Sequence, residues 1–262
     1  MDESKNDMKK ISNPSFNYEE DGLRYGAHRQ TEPEIAKYIY EALGDANTVI
    51  NIGAGTGSYE PDDRFVIAVE PSAKMREQRI INNKNPAVNA TVDALPFDDK
   101  SFDAATAFLT IHHWPDIAKG LKEIRRVTRR QIVIMTYDPD ALHVFWNAKY
   151  FPEVIDVERQ RYPSITSILN CLGNNCLVKE ISVPLNCVDG FQEAFYGRPE
   201  YFLSKDVRSG MSAWGFISSE QQDVLVNRLK IALSSGEWDR SYGHLRTQPF
   251  FNGALRLIIA RP

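Results

Sequence analysis

The chain has 262 residues, 42% of them hydrophobic and 25% charged, with 15 Gly and 14 Pro, a balance that excludes collagen-like, coiled-coil and disordered classes. A formal net charge of −4 argues against a surface that tracks nucleic-acid phosphates, and three cysteines are not a disulfide framework. The opening MDESKNDMKKIS lacks the apolar segment of a secretory leader, and no apolar run approaches the ~20 residues of a membrane helix, so a cytoplasmic globular protein with no membrane partner is expected.

Residues 1–15 are polar and expected to be loose. A helix is predicted from Thr31, which can cap it. Ile35, Tyr38, Ile39 and Leu43 recur at helical spacing and Gly44 stops it. β-prone runs follow at Val49–Ile52, Phe65–Val69, Val88–Val92, Ala105–Ile111 and Ile132–Tyr137, separated by helical patterns over 72–83 and 115–130. Strands without clean alternation, interleaved with helices, indicate a parallel sheet covered on both faces. Beyond Asp138-Pro139 the chain is rich in aromatics. Helices are predicted over 141–152, 155–172, 188–196, 199–213 and 218–234, the last with Ser218 and Gln221 in capping-box spacing. Strand patterns return at Val178–Val183 and Ala254–Ala260. The expected organisation is therefore one α/β domain over 16–262: a core over 16–139, a mainly helical cap over 140–250 inserted after strand five, and a closing strand over 251–262.

The clearest site signal is VINIGAGTGSYE, residues 49–60. A strand runs directly into Gly53-Ala54-Gly55-Thr56-Gly57, where glycines allow a tight turn and let a ligand lie on bare backbone. The carboxyl end of a parallel strand is where such sheets bind ligands. The next strand ends in Glu70, a carboxylate placed to accept from two ribose hydroxyls. The dinucleotide fingerprint would need a third glycine where Ser58 stands, and a helix whose N-terminus holds pyrophosphate. Residues 58–63, Ser-Tyr-Glu-Pro-Asp-Asp, leave no room for that helix and carry three acids. A nucleoside ligand without phosphate fits better, and S-adenosylmethionine is one.

With INIGAGTG, VIAVEPS, VDALPFDDKSFDAATAFLTIHHW and LKEIRRVTRRQIVIMTYD, the chain resembles the class I S-adenosylmethionine-dependent methyltransferases of the small-molecule type. The resemblance covers residues 15–137 and continues more loosely beyond. It implies a three-layer α/β sandwich with a mostly parallel, seven-stranded Rossmann-like sheet whose last strand is antiparallel. It also implies cofactor roles. Gly53, Ala54, Gly55, Thr56 and Gly57 would line the methionine end, Glu70 with Pro71 would hold the ribose, and Met75 would pack on the adenine. Asp93 would accept from the adenine amino group beside Ala94 and Leu95, and Phe108 would face the cofactor's tail. Tyr25 and Arg29 match the family's pattern before the first helix, where the arginine can fork onto the cofactor's carboxylate. Tyr18 would close the site on the substrate side. The short connection 58–63 departs from the family, most of whose members have a whole helix there.

The remaining candidates each have a plainer reading. His112 and His113 follow the fourth strand, where an imidazole could take a proton from an acceptor. His113 is the preferred candidate, although methyl transfer to an aligned nucleophile needs no base. Trp114 reads as packing. Asp98, Asp99, Lys100 and Asp103 read as a solvated turn, and no metal site is expected. Cys171, Cys176 and Cys187 lack zinc-ligand spacing. His143, Trp146 and Tyr150 would share a helix face, and Phe191 pairs with Phe195. Trp146 and Phe195 are the candidates to line an acceptor pocket, with His244 as a further approach. The expected activity is methyl transfer to O or N of a small acceptor. The alternatives are a nicotinamide-dependent oxidoreductase and a non-catalytic S-adenosylmethionine-binding protein.

Overall fold

The computed structural model describes residues 28–262; the candidates Tyr18 and Tyr25 lie outside them. Helix α1, Pro33–Leu43, leads into β1, Thr48–Ile52. Next come β2, Phe65–Val69; α2, Ala73–Ile81; and a two-residue β3, Ala87–Val88. β4, Phe102–Phe108, is followed by α3, Ile117–Val127, and β5, Thr128–Tyr137.

The cap region contains α4, Asn147–Tyr150; α5, Pro152–Arg161; and α6, Ile165–Leu172. After β6, Cys176–Pro184, come α7, Lys205–Ser209; α8, Ser219–Ser234; and α9, Glu237–Tyr242. β7, Phe250–Ala260, is the last strand. The seven strands form one sheet in the order β3-β2-β1-β4-β5-β7-β6. β1 to β5 run parallel, and β7 pairs antiparallel with both β5 and β6. This is the expected Rossmann-like sandwich.

The helices bury apolar faces on the two sides of the sheet. Ile35, Ile39 and Leu43 of α1 join one core with the cap aromatics, while Leu121, Ile124 and Val127 of α3 join Ile132 and Ile134 in the other. Parallel β1 and β4 are buried on both faces, which is why their side chains do not alternate.

Several local expectations change. The helix predicted over 155–172 is two helices, α5 and α6, broken at 162–164 around Pro163, and that over 141–152 shortens to a 3₁₀ turn and α4. Glu32, not Thr31, caps α1, its carboxylate accepting from the Glu34 N–H; Thr31 Oγ1 instead accepts from the Tyr59 N–H at 2.8 Å. The long helices predicted over 188–196 and 199–213 are short 3₁₀ turns around α7. There the aromatics pack on one another: Phe195 stacks on Tyr201 at 5.0 Å, and Phe202 meets Trp146 edge-on at 5.4 Å. The Asp98–Asp103 turn is not merely solvated. Asp103 accepts from the backbone N–H groups of Asn47 and Thr48, both at 3.0 Å, and pairs with Arg129 at 2.9 Å.

Candidate functional site

The glycine loop follows β1 without a helix and ends at Arg64. In place of the helix, the loop rests on a buried polar network. Thr106 Oγ1 donates to Asn51 Oδ1 at 3.1 Å, and Asn51 Nδ2 donates to Glu60 Oε1 at 2.9 Å. Both Glu60 oxygens accept from Arg79, at 2.9 and 3.0 Å, and the Arg79 side chain is 1% exposed. Asp62 pairs with Lys84 and Asp63 with Arg64. All three acids of the segment are thus neutralised by cations. Acid repulsion therefore does not disfavour a pyrophosphate here; the lack of a helix directly after the glycine loop does.

A cavity of about 350 Å³ opens at the carboxyl ends of β1, β2 and β4, within the range of small-molecule sites. Gly53, Ala54, Gly55 and Thr56 form one wall; Glu70, Pro71 and Met75 form a second; Phe108, Thr110 and His113 form a third. The three loop glycines do different work. Gly53, at φ +61°, would place a Cβ 2.1 Å from Thr110 Oγ1, so the loop can pass Thr110 only as glycine. Gly55, at φ +51°, would meet no atom within 4 Å, so its bare face looks onto free space. Gly57 does not line the cavity. At φ +97° it approaches Lys84, Arg79 and Glu60, and it serves the network beneath.

Glu70 is 7% exposed. Its Oε2 accepts from the Gly55 N–H at 2.8 Å and its Oε1 from the Ser72 N–H at 2.9 Å. Burial raises its pKa, and these two backbone donors pull it back. The carboxylate keeps further lone pairs, so it can also accept from a ligand's vicinal hydroxyls. Met75 is buried at 1% exposure and lines the cavity, giving it an apolar, polarizable wall.

Arg29 reaches the cavity, but its Nε and Nη2 fork onto Asp189, at 2.5 and 3.2 Å. Asp93, Ala94 and Leu95 do not line it; Ala90, Thr91 and Val92 do. β3 ends at Val88, so residues 90–92 are already past the strand and meet the cavity before the chain reaches Asp93. Asp93 turns toward Lys119, 3.6 Å away.

His113 lines the cavity and His112 does not. Arg161 Nη2 lies 3.3 Å from His113 Nδ1. A guanidinium has only donors, so Nδ1 accepts and the neutral ring carries its proton on Nε2. The ring is open to the cavity, but the protein packed around it, then Arg161 and Arg29, push its pKa down and keep it uncharged near neutral pH. Trp114 both packs against Gly120 and lines the cavity, so the sequence reading understated it.

Trp146 and Phe195 are not brought to this cavity. Trp146 is 2% exposed and Phe195 6%; Trp146 Nε1 donates to the Tyr196 carbonyl at 2.8 Å, with its ring edge-on to Trp238. With His244, Trp146 borders a separate open groove. Sequence reasoning missed Tyr59, Leu109 and Thr110. Tyr59, at φ +63°, and Leu109, at φ +50°, are non-glycine residues in the left-handed region, and both line the cavity. Their placement beside a glycine loop and at a strand end was the available signal. Among the described residues no group of three or more metal-ligating side chains could hold an ion, and no helix is long and apolar enough to cross a membrane.

Residues 50–135 match the family model described as "Methyltransferase domain". The chain is 29% identical over 145 residues to the ubiquinone/menaquinone biosynthesis C-methyltransferase UbiE of Geobacter sp. (strain M21), covering 49% of this chain and 61% of that protein. It is 30% identical over 125 residues to the malonyl-[acyl-carrier protein] O-methyltransferase of Erwinia billingiae (strain Eb661), covering 45% of this chain and 49% of that protein. The chain thus spans about half to three fifths of the length of these curated relatives. A crystal structure from Anabaena variabilis ATCC 29413, described as a candidate methyltransferase from an antibiotic biosynthesis pathway, superposes with a TM-score of 0.82 at 27% identity, covering 89% of this chain and 98% of that one. With the sheet order, these give residues 50–135 a methyltransferase domain in the fold of the class I S-adenosylmethionine-dependent methyltransferases, whose cofactor is S-adenosylmethionine. The residues present fit it: a bare Gly55 face, a ribose-competent carboxylate in Glu70, and a glycine loop that runs on to β2 without the helix whose N-terminus would hold a pyrophosphate.

Proposed function

We propose that the protein transfers a methyl group from S-adenosylmethionine to an O or N atom of a small acceptor. The single observation that carries this reading is the Glu70 carboxylate, hydrogen-bonded to the Gly55 N–H at 2.8 Å beside a Gly55 face with no atom within 4 Å. That pair can hold a ribose edge while the rest of a nucleoside lies along the loop. The cofactor supplies a methyl group already activated by a sulfonium.

The chain's own part is to bind, orient and exclude water, which can supply much of the rate when reacting atoms are held ~3–3.5 Å apart in line. A carbon acceptor would need a base to strip its proton. The one imidazole on the cavity has Nδ1 engaged by Arg161 and a proton on Nε2, which favours acceptor atoms that bring their own lone pair. Among the described residues that line the cavity, Arg29 is the single basic side chain besides His113; with a net charge of −4, this supports a small molecule over a nucleic acid.

The test is calorimetric titration with S-adenosylmethionine, S-adenosylhomocysteine and NADH, repeated with Glu70→Ala, followed by transfer of isotope-labelled methyl to a panel of hydroxyl, amine and carbon acceptors. Binding of the first two ligands, lost in the variant, is expected, with label appearing on O or N. Binding of NADH alone, or label on carbon only, overturns the reading.

A further inference from the structure

A second, smaller cavity of about 20 Å³ meets the first at Arg29 and Leu109. Tyr137, Tyr162, Phe191 and Met211 give it apolar walls, and His112 and Glu158 give it polar ones. Three buried polar atoms of these residues have no hydrogen-bond partner among the described residues: His112 Nδ1, Tyr137 Oη and Glu158 Oε2. They come from three separate elements, the turn after β4, the end of β5, and α5. Tyr137 is 3% exposed and Glu158 4%.

The carboxylate is held from behind. Gln192 Nε2 donates to Glu158 Oε1 at 2.9 Å, and Asn147 Nδ2 donates to Gln192 Oε1 at 3.1 Å. This support leaves Oε2 unbonded. Buried polar groups are almost always satisfied by protein or water, so three orphans around one void require an occupant. The volume admits a single small polar group.

Charge and shape narrow what that group is. Arg161 Nη1 lies 3.7 Å from Glu158 Oε2, and Arg29 stands on the wall; two guanidiniums repel a cation. An anion would meet Glu158 and lose its hydration without a vacant cationic partner. A neutral hydroxyl both donates and accepts, which suits a carboxylate oxygen facing a phenol. Burial raises the pKa of Glu158 and Tyr137 and lowers that of His112, so burial penalises charge in this void, the occupant's included. The rings of Tyr137 and Tyr162 meet edge to face at 5.3 Å, and Tyr162 lies over His112 at 4.1 Å, so aromatic faces line the void and the body that carries the hydroxyl lies beyond it, toward the larger cavity.

We propose that this small cavity is an acceptor-recognition subsite that takes a neutral hydroxyl carried on an aromatic body. It rests on the methyltransferase reading above and adds the acceptor's chemical class. Because Leu109 and Arg29 stand where the two cavities meet, the hydroxyl is an anchor and the atom that receives the methyl group lies in the larger cavity.

The probe is phenol, with toluene, benzylamine and benzoate as matched controls, titrated into the full chain saturated with S-adenosylhomocysteine and into the chain alone. Phenol is expected to bind the wild type at least tenfold more tightly than any control. Tyr137→Phe and Glu158→Gln should each weaken phenol about tenfold, while leaving toluene and S-adenosylhomocysteine binding within twofold. The wild-type contrast needs no variant and stands even if one fails to fold. Equal binding of phenol and toluene, a preference for the charged probes, or phenol affinity unchanged in both variants overturns the proposal; the orphans would then hold an ordinary buried water. Failure of S-adenosylhomocysteine to bind in its own titration overturns the methyltransferase reading instead, and the phenol–toluene contrast on the chain alone still judges the subsite.

Discussion

Arg29 and Asp189, 160 positions apart in sequence, form a forked ion pair at 2.5 and 3.2 Å, and the Asp189 side chain is fully buried. Tyr59 Oη donates to the same carboxylate at 2.8 Å. One acid therefore joins the segment before α1, the end of the glycine loop and the cap. Gly190 continues the seam: its N–H donates to the His28 carbonyl at 2.8 Å, and a Cβ there would lie 2.6 Å from that oxygen.

Removing one partner of a buried pair leaves the other charge uncompensated, at a cost of roughly 3–5 kcal/mol. Asp189→Asn should therefore lower stability by about 3 kcal/mol. Tyr59→Phe should cost about 1.5 kcal/mol, and the double variant should cost less than the sum, because the two share a bond. Urea unfolding of the four proteins measures this; strict additivity would contradict a shared site.

The glycine loop offers a sharper pair. Gly53→Ala forces Cβ into Thr110, so both folding stability and S-adenosylhomocysteine binding should fall. Gly55→Ala meets no protein atom. It should lose only the ~1–2 kcal/mol of a left-handed alanine, while affinity falls at least tenfold because its methyl group projects into the cavity. Thermal melts with and without ligand separate the two, and equal affinity loss per unit of stability lost would argue that Gly55 faces no ligand.

Beneath the loop, Arg79→Met should leave Glu60 buried and unpaired, destabilising by roughly 3–5 kcal/mol. Adding Glu60→Gln should recover part of that loss. Denaturant midpoints report it, and a single variant as stable as wild type would mean that the network bears no weight.

Glu193 gives a pH signature. Its side chain is buried at 1% exposure, and burial pushes its pKa up from 4.5 to about 7, against the Ala254 N–H that donates to Oε1 at 2.6 Å. The folded state thus holds a proton that the unfolded state has released. Stability from this group is full below about pH 4.5 and lost as pH rises to about 7. At 1.36 kcal/mol per pKa unit the loss is roughly 3 kcal/mol. Glu193→Gln, which keeps an acceptor for Ala254, should be more stable than wild type at pH 8 and show a flatter profile between pH 4.5 and 7. An unchanged slope across that window would show that Glu193 titrates normally.

The cofactor half of the fold was legible because its signals are local. β1, β2 and β5 announce themselves as apolar runs, and the glycine loop and Glu70 sit within twenty residues of each other. The cap was not, because its aromatics recur at helical spacing for a different reason. Trp146, Tyr150 and Phe202 face a common centre shared with Trp238, and short turns reach that centre as well as helices do. Asp189 and Glu158 carried no signal at all. A lone acid in a mixed segment reads as surface, and only the fold reveals that Arg29 or Gln192 waits opposite it.

The sheet order carries a consequence for how the protein is made. β7 is last in sequence among the described strands, yet it lies between β5 and β6. Until it emerges from the ribosome, β6 has no neighbour in the sheet, and the edge of β5 stands open. The first five strands can assemble while synthesis continues, but the cap has no fixed floor before residue 260 is free. Nascent chains stalled before Phe250 would present two unpaired edges at once, the kind of surface that chaperones bind and that aggregation exploits. The cofactor cavity and the cap beside it are therefore finished at different times, and the cap comes last.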